Sequence, residues 1–146
     1  MAVRLALGTV QFGMAYGVAN TTGHMSAQTA KKIVEAARQS GIQTLDTAAL
    51  YGTSENVLGT IGVEDLRIVS KLPGLPEAPG DVGKWVNDAV RQSLERLGVA
   101  RLGGLLLHRP SDLSGPSGRA LFDSLLTVRD CGLVDKIGYS VYSPAE

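Results

Sequence analysis

The sequence lacks several features that would each define a class of protein. Lys+Arg and Asp+Glu number 14 each among its 146 residues, so no basic field exists to attract nucleic acid or an anionic membrane. Its single cysteine, Cys131, excludes an internal disulfide and is typical of a reducing compartment, here the cytoplasm. We interpret Cys131 as a half-buried residue at a helix end. No apolar run approaches the ~20 residues of a membrane span, and we expect no secretory signal.

What the sequence does contain is an alternation of apolar strands and amphipathic helices. Hydrophobic residues make up 44% and charged residues 19%, the balance of a folded globular domain. The predicted strands are Val3–Thr9, Ile42–Thr47, Arg67–Leu72, Leu102–His108 and Lys136–Val141. The predicted helices are Ser26–Ser40, Ser54–Ile61, Asp81–Leu97 and Arg119–Cys131. This alternation predicts an α/β fold with a parallel sheet covered by helices.

Two architectures fit this pattern. A closed (β/α)8 barrel needs eight strands and ~250 residues, whereas a doubly wound domain of five strands would suit the length directly. The last residues, Ser143–Glu146, have the cap, proline and glutamate of a helix start. They favour an incomplete TIM-type barrel of about five parallel strands and four helices, with residues 1–146 as a single domain. The pattern alone leaves both architectures open.

Four polar side chains fall at the ends of predicted strands. Asp46 and Tyr51 come at and just beyond the end of the second strand, Lys71 near the end of the third, and His108 at the end of the fourth. Because the C-terminal ends of parallel strands share one rim, we expect the four to meet. Each alone has a simpler interpretation: a helix cap, a rim aromatic, a solvated charge and a structural histidine. Their coincidence at one rim favours a functional site.

The segments around these residues resemble a known family. They are LGTVQFG (Leu7–Gly13), LDTAALYGTSE (Leu45–Glu55), VSKLP (Val69–Pro73) and LLLHRP (Leu105–Pro110). In order and spacing they resemble the aldo-keto reductases, a (β/α)8-barrel family that uses NADPH. The resemblance covers essentially the whole chain and the first five of the family's eight strands.

The resemblance implies a catalytic tetrad of Asp46, Tyr51, Lys71 and His108. Tyr51 would protonate the carbonyl oxygen, although a free phenol with a pKa of about 10 is a weak acid near neutrality. Lys71 would favour the phenolate, Asp46 would hold the ammonium in place, and neutral His108 would orient the substrate oxygen. Glu55 we interpret instead as a charge that complements the dipole of a helix N-terminus, and no metal site is predicted.

The resemblance also implies a cofactor site at the same rim. Gly8, Thr9 and Asp46 would lie beside the nicotinamide ribose, and Ser140 would hold the carboxamide. The residue after Ser140 is Val141, where the family often has Asn. The family's phosphate- and adenosine-binding loops follow its seventh and eighth strands, and no Gly-x-Gly-x-x-Gly loop replaces them here. We therefore expect NADPH, with NADH as the alternative, and weak binding to this chain alone.

The leading hypothesis is an NAD(P)H-dependent oxidoreductase that reduces an aldehyde or ketone to an alcohol. Its partner would be a small carbonyl substrate, and the chain alone would be inactive or weakly active. A second hypothesis makes Lys71 the Schiff-base nucleophile of an aldolase-like barrel. A third is a non-catalytic half-barrel that self-associates through its open sheet edge.

Overall fold

The sheet contains five parallel strands that follow one another in sequence order. The computed structural model describes residues 5–17, 23, 25–141 and 143. The strands are β1 (Leu7–Gly8), β2 (Thr44–Asp46), β3 (Arg67–Leu72), β4 (Gly104–Leu107) and β5 (Ile137–Tyr139), paired in the order β1-β2-β3-β4-β5. A doubly wound sheet reverses its strand order at a switch point, whereas this order runs in one direction only. The alternative of a doubly wound domain is therefore wrong, and the sheet is part of a (β/α)8-type barrel.

Helices connect the successive strands. They are α1 (Val10–Gly13), α2 (Ala27–Gln39), α3 (Ser54–Ile61), α4 (Val82–Leu97) and α5 (Gly118–Asp130), with a 3-10 helix at Pro110–Ser114. The four predicted helices are confirmed, whereas α1 and the 3-10 helix were not predicted. Ser26 and Asp81 act as the predicted caps: their side chains accept hydrogen bonds from the backbone N–H of Thr29 at 3.2 Å and of Lys84 at 2.9 Å. No helix in the described part of the chain is long and apolar enough to cross a membrane.

The strands are shorter than predicted, except for β3. The first predicted strand begins outside the described residues, and its paired part is only Leu7–Gly8. The fourth begins at Gly104, because Leu102 forms only an isolated bridge with Val134. The Arg67 side chain lies against the backbone of Gly103, where its Nη2 donates to the carbonyl oxygen at 2.6 Å. A Cβ on Gly103 would lie 2.3 Å from Cγ of Arg67. The predicted helix start at Ser143–Glu146 lies outside the described residues apart from Ser143.

The two faces of the sheet differ in character. Successive side chains of a strand point to opposite faces, and Leu45, Ile68 and Leu105 point into the core beneath the helices, each with 0–1% of its surface exposed. The other face carries Asp46 of β2 and Lys71 of β3. Because Asp46 pairs in register with Val69, two residues before Lys71, the strand geometry puts both charged side chains on this second face. The sheet thus separates an apolar core from a polar site.

Candidate active site

A partly buried ion pair joins β2 and β3 at the C-terminal ends of the strands. Nζ of Lys71 donates to Oδ1 of Asp46 at 2.6 Å and to the carbonyl oxygen of Thr47 at 3.0 Å. The Lys71 side chain is 6% exposed and that of Asp46 is 38% exposed. A buried ammonium needs such partners, because its charge is otherwise costly to remove from water. Lys71 is therefore not the solvated surface charge of the simpler interpretation, and Asp46 is its counter-ion.

Two aromatic rings complete the cluster. Nζ of Lys71 lies 5.0 Å from the centroid of the Tyr51 ring. The Tyr51 ring meets that of His108 edge to face, with centroids 5.9 Å apart and planes at 84°. His108 follows β4, where its backbone N–H donates to the carbonyl oxygen of Leu72 at 3.3 Å. The four residues predicted to meet at the rim, Asp46, Tyr51, Lys71 and His108, thus form one cluster.

The surroundings of His108 favour the neutral form of its imidazole. Burial lowers the pKa of His108 below its ordinary 6.5, the positive charge of Lys71 lowers it further, and Asp46 opposes both effects. Its Nδ1 is buried without a hydrogen-bond partner among the described residues. A neutral imidazole keeps one nitrogen as donor and one as acceptor, so His108 can offer a single N–H to an oxygen atom beside Tyr51.

The turn that carries Tyr51 lies in close backbone contact with α1. A Cβ on Gly13 would lie 1.9 Å from the carbonyl oxygen of Tyr51, and one on Gly52 would lie 2.2 Å from that of Gly13. Gly52 also has φ +57°, a conformation that glycine adopts without strain. The backbone N–H of Tyr51 donates to Ala48 at 3.1 Å. These contacts fix where the phenol ring leaves the backbone.

Three buried hydroxyl groups near this turn form a cluster that was not predicted from the sequence. Thr9, Thr47 and Ser54 are all 0% exposed. Oγ of Ser54 lies 2.9 Å from the carbonyl oxygen of Thr9, 3.0 Å from its hydroxyl and 3.1 Å from that of Thr47. The Thr9 hydroxyl also donates to the carbonyl oxygen of Asp46 at 3.0 Å. The cluster ties β1, β2 and α3 together, and the expected cofactor contact of Thr9 stays a prediction.

The other residues expected at a cofactor lie at the same ends of the strands. Gly8 is exposed and pairs in register with Asp46, and a Cβ placed on it would meet nothing within 4 Å. Ser140 is half-buried just after β5, where its backbone N–H donates to the carbonyl oxygen of Leu107 at 3.0 Å. Open space beside Gly8 and the half-exposed carboxylate of Asp46 suit a flat ring and a ribose hydroxyl.

Two residues have surroundings that the sequence did not reveal. Glu55 lies in the first turn of α3, as interpreted, but it is also 2% exposed and accepts hydrogen bonds from Ser70 and Arg96. Cys131 is exposed rather than half-buried, because it ends α5 beyond that helix's last buried residue, Val128. No group of three His, Cys, Asp or Glu side chains that could hold a metal ion occurs within the described ranges.

A parallel sheet wound in sequence order, with polar side chains converging at the C-terminal ends of its strands, is the organisation of β/α-barrel enzymes. Comparison with known proteins narrows this class. The family model described as the aldo/keto reductase family matches residues 4–146. The chain belongs to the aldo/keto reductase family.

Individual relatives agree with the family model. Over 148 residues the chain is 31% identical to an uncharacterized oxidoreductase of Mycobacterium tuberculosis, a match that covers 97% of this chain and 43% of the relative. It is 32% identical over 116 residues to a 2,5-diketo-D-gluconic acid reductase B of a Corynebacterium, covering 74% of this chain and 39% of that protein. The chain thus spans less than half the length of these curated relatives.

Solved structures show the same relation. The crystal structure of a Pseudomonas aeruginosa protein assigned to the aldo-keto reductases superposes with a TM-score of 0.76 at 29% identity, covering 92% of this chain and 54% of that one. A Bombyx mori aldo-keto reductase in complex with NADP superposes with a TM-score of 0.66 at 25% identity, covering 92% and 45%. The five strands therefore correspond to part of the family's barrel.

Proposed function

We propose that residues 1–146 are one domain, the N-terminal part of an NAD(P)H-dependent aldo-keto reductase that reduces an aldehyde or ketone to an alcohol. The observation that carries the proposal is the contact of one buried ammonium with two groups. Nζ of Lys71 lies 2.6 Å from Oδ1 of Asp46 and 5.0 Å from the centroid of the Tyr51 ring. A general acid and the cation that would activate it are thus adjacent.

The reaction assigns a separate task to each side chain. When bound, NAD(P)H supplies a hydride to the carbonyl carbon, and negative charge develops on the carbonyl oxygen. Tyr51 gives its proton to that oxygen, and Lys71 stabilises the phenolate left behind. Asp46 holds the ammonium in place, and the neutral N–H of His108 orients the oxygen. A positioned acid of this kind contributes roughly 10²–10⁴-fold to the rate.

We propose that Gly8, Asp46 and Ser140 hold the nicotinamide end of the cofactor. The open, exposed position of Gly8 beside the half-exposed carboxylate of Asp46 supports this assignment. NADPH is favoured over NADH because a Bombyx mori relative was solved with NADP. A site with few contacts to the phosphates gives low affinity, so the chain alone is expected to be weakly active at most.

The test measures NADPH consumption by the chain at high protein concentration with a panel of small aldehydes and ketones. Tyr51→Phe removes only the phenol proton, so the rate should fall by roughly 100-fold or more. Tyr16→Phe is the matched control, because Tyr16 is 52% exposed and has no part in the proposed reaction. A Tyr51→Phe variant that keeps the wild-type rate would refute the proposal.

The ion pair also bears on the Schiff-base alternative. A lysine nucleophile attacks a carbonyl carbon through a free nitrogen lone pair, whereas Nζ of Lys71 is already engaged as a hydrogen-bond donor to Asp46 at 2.6 Å and to the carbonyl oxygen of Thr47 at 3.0 Å. We therefore favour reduction over an aldolase-like reaction. Borohydride trapping separates the two: a stable adduct of a carbonyl substrate on Lys71, undiminished in Tyr51→Phe, would favour the aldolase-like reaction.

We also propose that this 146-residue chain self-associates. Within the described residues, β1 and β5 each pair on one side only. Apolar side chains lie exposed near these two edges: Leu5 is 62% exposed, Tyr139 is 59% exposed and Val141 is 43% exposed. Unpaired strand edges with exposed apolar groups favour pairing with another copy. Sedimentation should show a dimer or larger species, and a monomer at all concentrations would contradict the proposal.

We also propose that the protein is cytoplasmic, because a single cysteine is typical of proteins in a reducing compartment.

A further inference from the structure

A second carboxylate lies behind the proposed site, on the helix side of the sheet. Glu55 of α3 is 2% exposed. Its Oε1 accepts from the Ser70 hydroxyl at 2.6 Å, and its Oε2 accepts from Nε of Arg96 at 2.8 Å. Nη2 of Arg96 donates in turn to the hydroxyl of Ser93 at 3.2 Å. One buried carboxylate therefore joins α3, β3 and α4, and the proposed reaction does not use it.

Glu55 and its partner Ser70 each lie close in sequence to a residue of the proposed catalytic tetrad. Ser70 immediately precedes Lys71 in β3, and side chains alternate along a strand, so Ser70 contacts Glu55 while Lys71 points to the site. On the other side, α3 begins directly after the Tyr51 turn, and the backbone N–H of Ser54 donates to the carbonyl oxygen of Tyr51 at 3.0 Å. Glu55 thus bonds the helix that follows Tyr51 to the strand that carries Lys71.

We propose that Glu55 is a positioning residue that sets the distance between Tyr51 and the ammonium of Lys71. This inference rests on the proposed carbonyl reduction, in which that distance controls how strongly the cation stabilises the phenolate. The hydrogen bonds of Glu55 are charge-assisted and short, which makes them stronger than neutral ones. Misplacement of a catalytic group by about 1 Å can cost ~10²-fold in rate. A bond remote from the reacting atoms is therefore sufficient to control the reaction.

The first test follows Lys71 itself and needs no turnover. A lysine whose side chain is 6% exposed and ion-paired reacts slowly with an acylating reagent, and mass spectrometry measures its labelling rate. Glu55→Gln and the milder Ser70→Ala both weaken the hydrogen bond between Ser70 and Glu55. Because that bond holds β3 in place next to Lys71, labelling of Lys71 should rise by roughly 10-fold in both variants. Lys84, which is 73% exposed, is the internal reference.

The control is Val128→Ala, which creates a cavity in α5 away from the Glu55 contacts and lowers stability without touching them. Labelling of Lys71 in this variant should stay near the wild-type rate. Unchanged labelling of Lys71 in both Glu55→Gln and Ser70→Ala would overturn the inference, as would an equal rise in Val128→Ala. If Tyr51→Phe keeps the wild-type rate of carbonyl reduction, the proposed function fails, while the labelling result still decides what Glu55 does.

The second test separates positioning from stability in the kinetics. Glu55→Gln should lower kcat by roughly 10–100-fold and leave KM within about 2-fold, since it moves the acid and not the substrate site. Ser70→Ala should lower kcat in the same direction, and the double variant should resemble Glu55→Gln, because the two residues act through one bond. The positioning role would be refuted if the losses in kcat of the two single variants added up in the double variant. It would also be refuted if KM rose while kcat stayed unchanged.

Discussion

The ion pair between Asp46 and Lys71 gives the most direct test of the geometry of the site, because its two ends differ in burial. The Lys71 side chain is 6% exposed, whereas that of Asp46 is 38% exposed. Either substitution removes the pairing of opposite charges across the same 2.6 Å contact. The two substitutions nevertheless leave different groups unpaired. Asp46→Asn leaves a buried ammonium, and Lys71→Met leaves a carboxylate that water can reach. We expect Asp46→Asn to be the more destabilising of the two.

The magnitudes follow from this difference in exposure. Leaving an uncompensated charge in a protein interior costs about 3–5 kcal/mol. For Asp46→Asn we expect a somewhat smaller loss of ~2–4 kcal/mol. Lys71 keeps its bond to the carbonyl oxygen of Thr47 at 3.0 Å, and the new amide oxygen still accepts a hydrogen bond. Lys71→Met keeps the apolar stem packed and leaves a carboxylate with access to water, so we expect ~1 kcal/mol.

Urea unfolding followed by circular dichroism near neutral pH measures both free energies. The double variant closes a thermodynamic cycle and gives the coupling between the two side chains. The exposed pair of Lys84 and Asp88, with side chains 73% and 49% exposed, is the control. Substituting either of its members should leave the urea midpoint close to the wild-type value, because exposed ion pairs contribute little to stability. A loss in Lys71→Met as large as in Asp46→Asn would refute the reasoning, because the ammonium would then not be the buried end.

Three further outcomes are expected. Because burial lowers the pKa of His108 in the folded state from its ordinary 6.5, folding favours the neutral ring, so stability is lost as pH falls from about 6.5 through the folded pKa. His108→Gln should flatten this part of the stability profile, and an unchanged profile would contradict the assignment. Gly59→Ala should lower stability by about 1–3 kcal/mol in thermal unfolding, because its Cβ would lie 2.1 Å from the carbonyl oxygen of Arg96; Gly115→Ala, with only an ordinary 3.5 Å contact, is the control. Isothermal titration of this chain should show weak NADPH binding. Tight stoichiometric binding would contradict the proposal that these residues hold only the nicotinamide end of the cofactor.

The fold was largely predictable because its signals are local. Caps such as Ser26 and Asp81 act within three residues, and the continuous apolar runs of buried strands are visible without any knowledge of their neighbours. The convergence of Asp46, Lys71 and His108 was also predictable, since parallel strands bring their C-terminal ends to one rim whatever covers the sheet. Strand ends were the weakest prediction, because pairing with a neighbour decides where a strand stops.

What the sequence did not reveal depends on contacts between distant residues. Glu55 lies 41 positions from Arg96, and in the sequence a glutamate in the first turn of a helix has the pattern of a solvated dipole charge. The hydroxyl cluster joins Thr9 to Ser54 across 45 positions, and a buried serine or threonine cannot be told from an exposed one by type. An available signal was the run Thr53-Ser54-Glu55, which begins two residues after Tyr51, where small and charged side chains enter a helix that must pack against the sheet.

β3 makes polar contacts on both of its faces, through Lys71 on one and Ser70 on the other. These contacts help to determine the register in which β3 pairs with its neighbours. A one-residue shift in the pairing of a strand moves every side chain to the opposite face. In β3 such a shift would turn Lys71 toward the core and Ser70 toward the site, so that the ammonium would lose Asp46 and Glu55 would lose its hydroxyl donor. The first error leaves a buried ammonium without its counter-ion, the second leaves Glu55 with Arg96 but without Ser70, and both come in addition to the loss of apolar packing at Ile68. The residues proposed for catalysis therefore also act against the wrong register, so that the strand pairing which buries the core is the one that assembles the site.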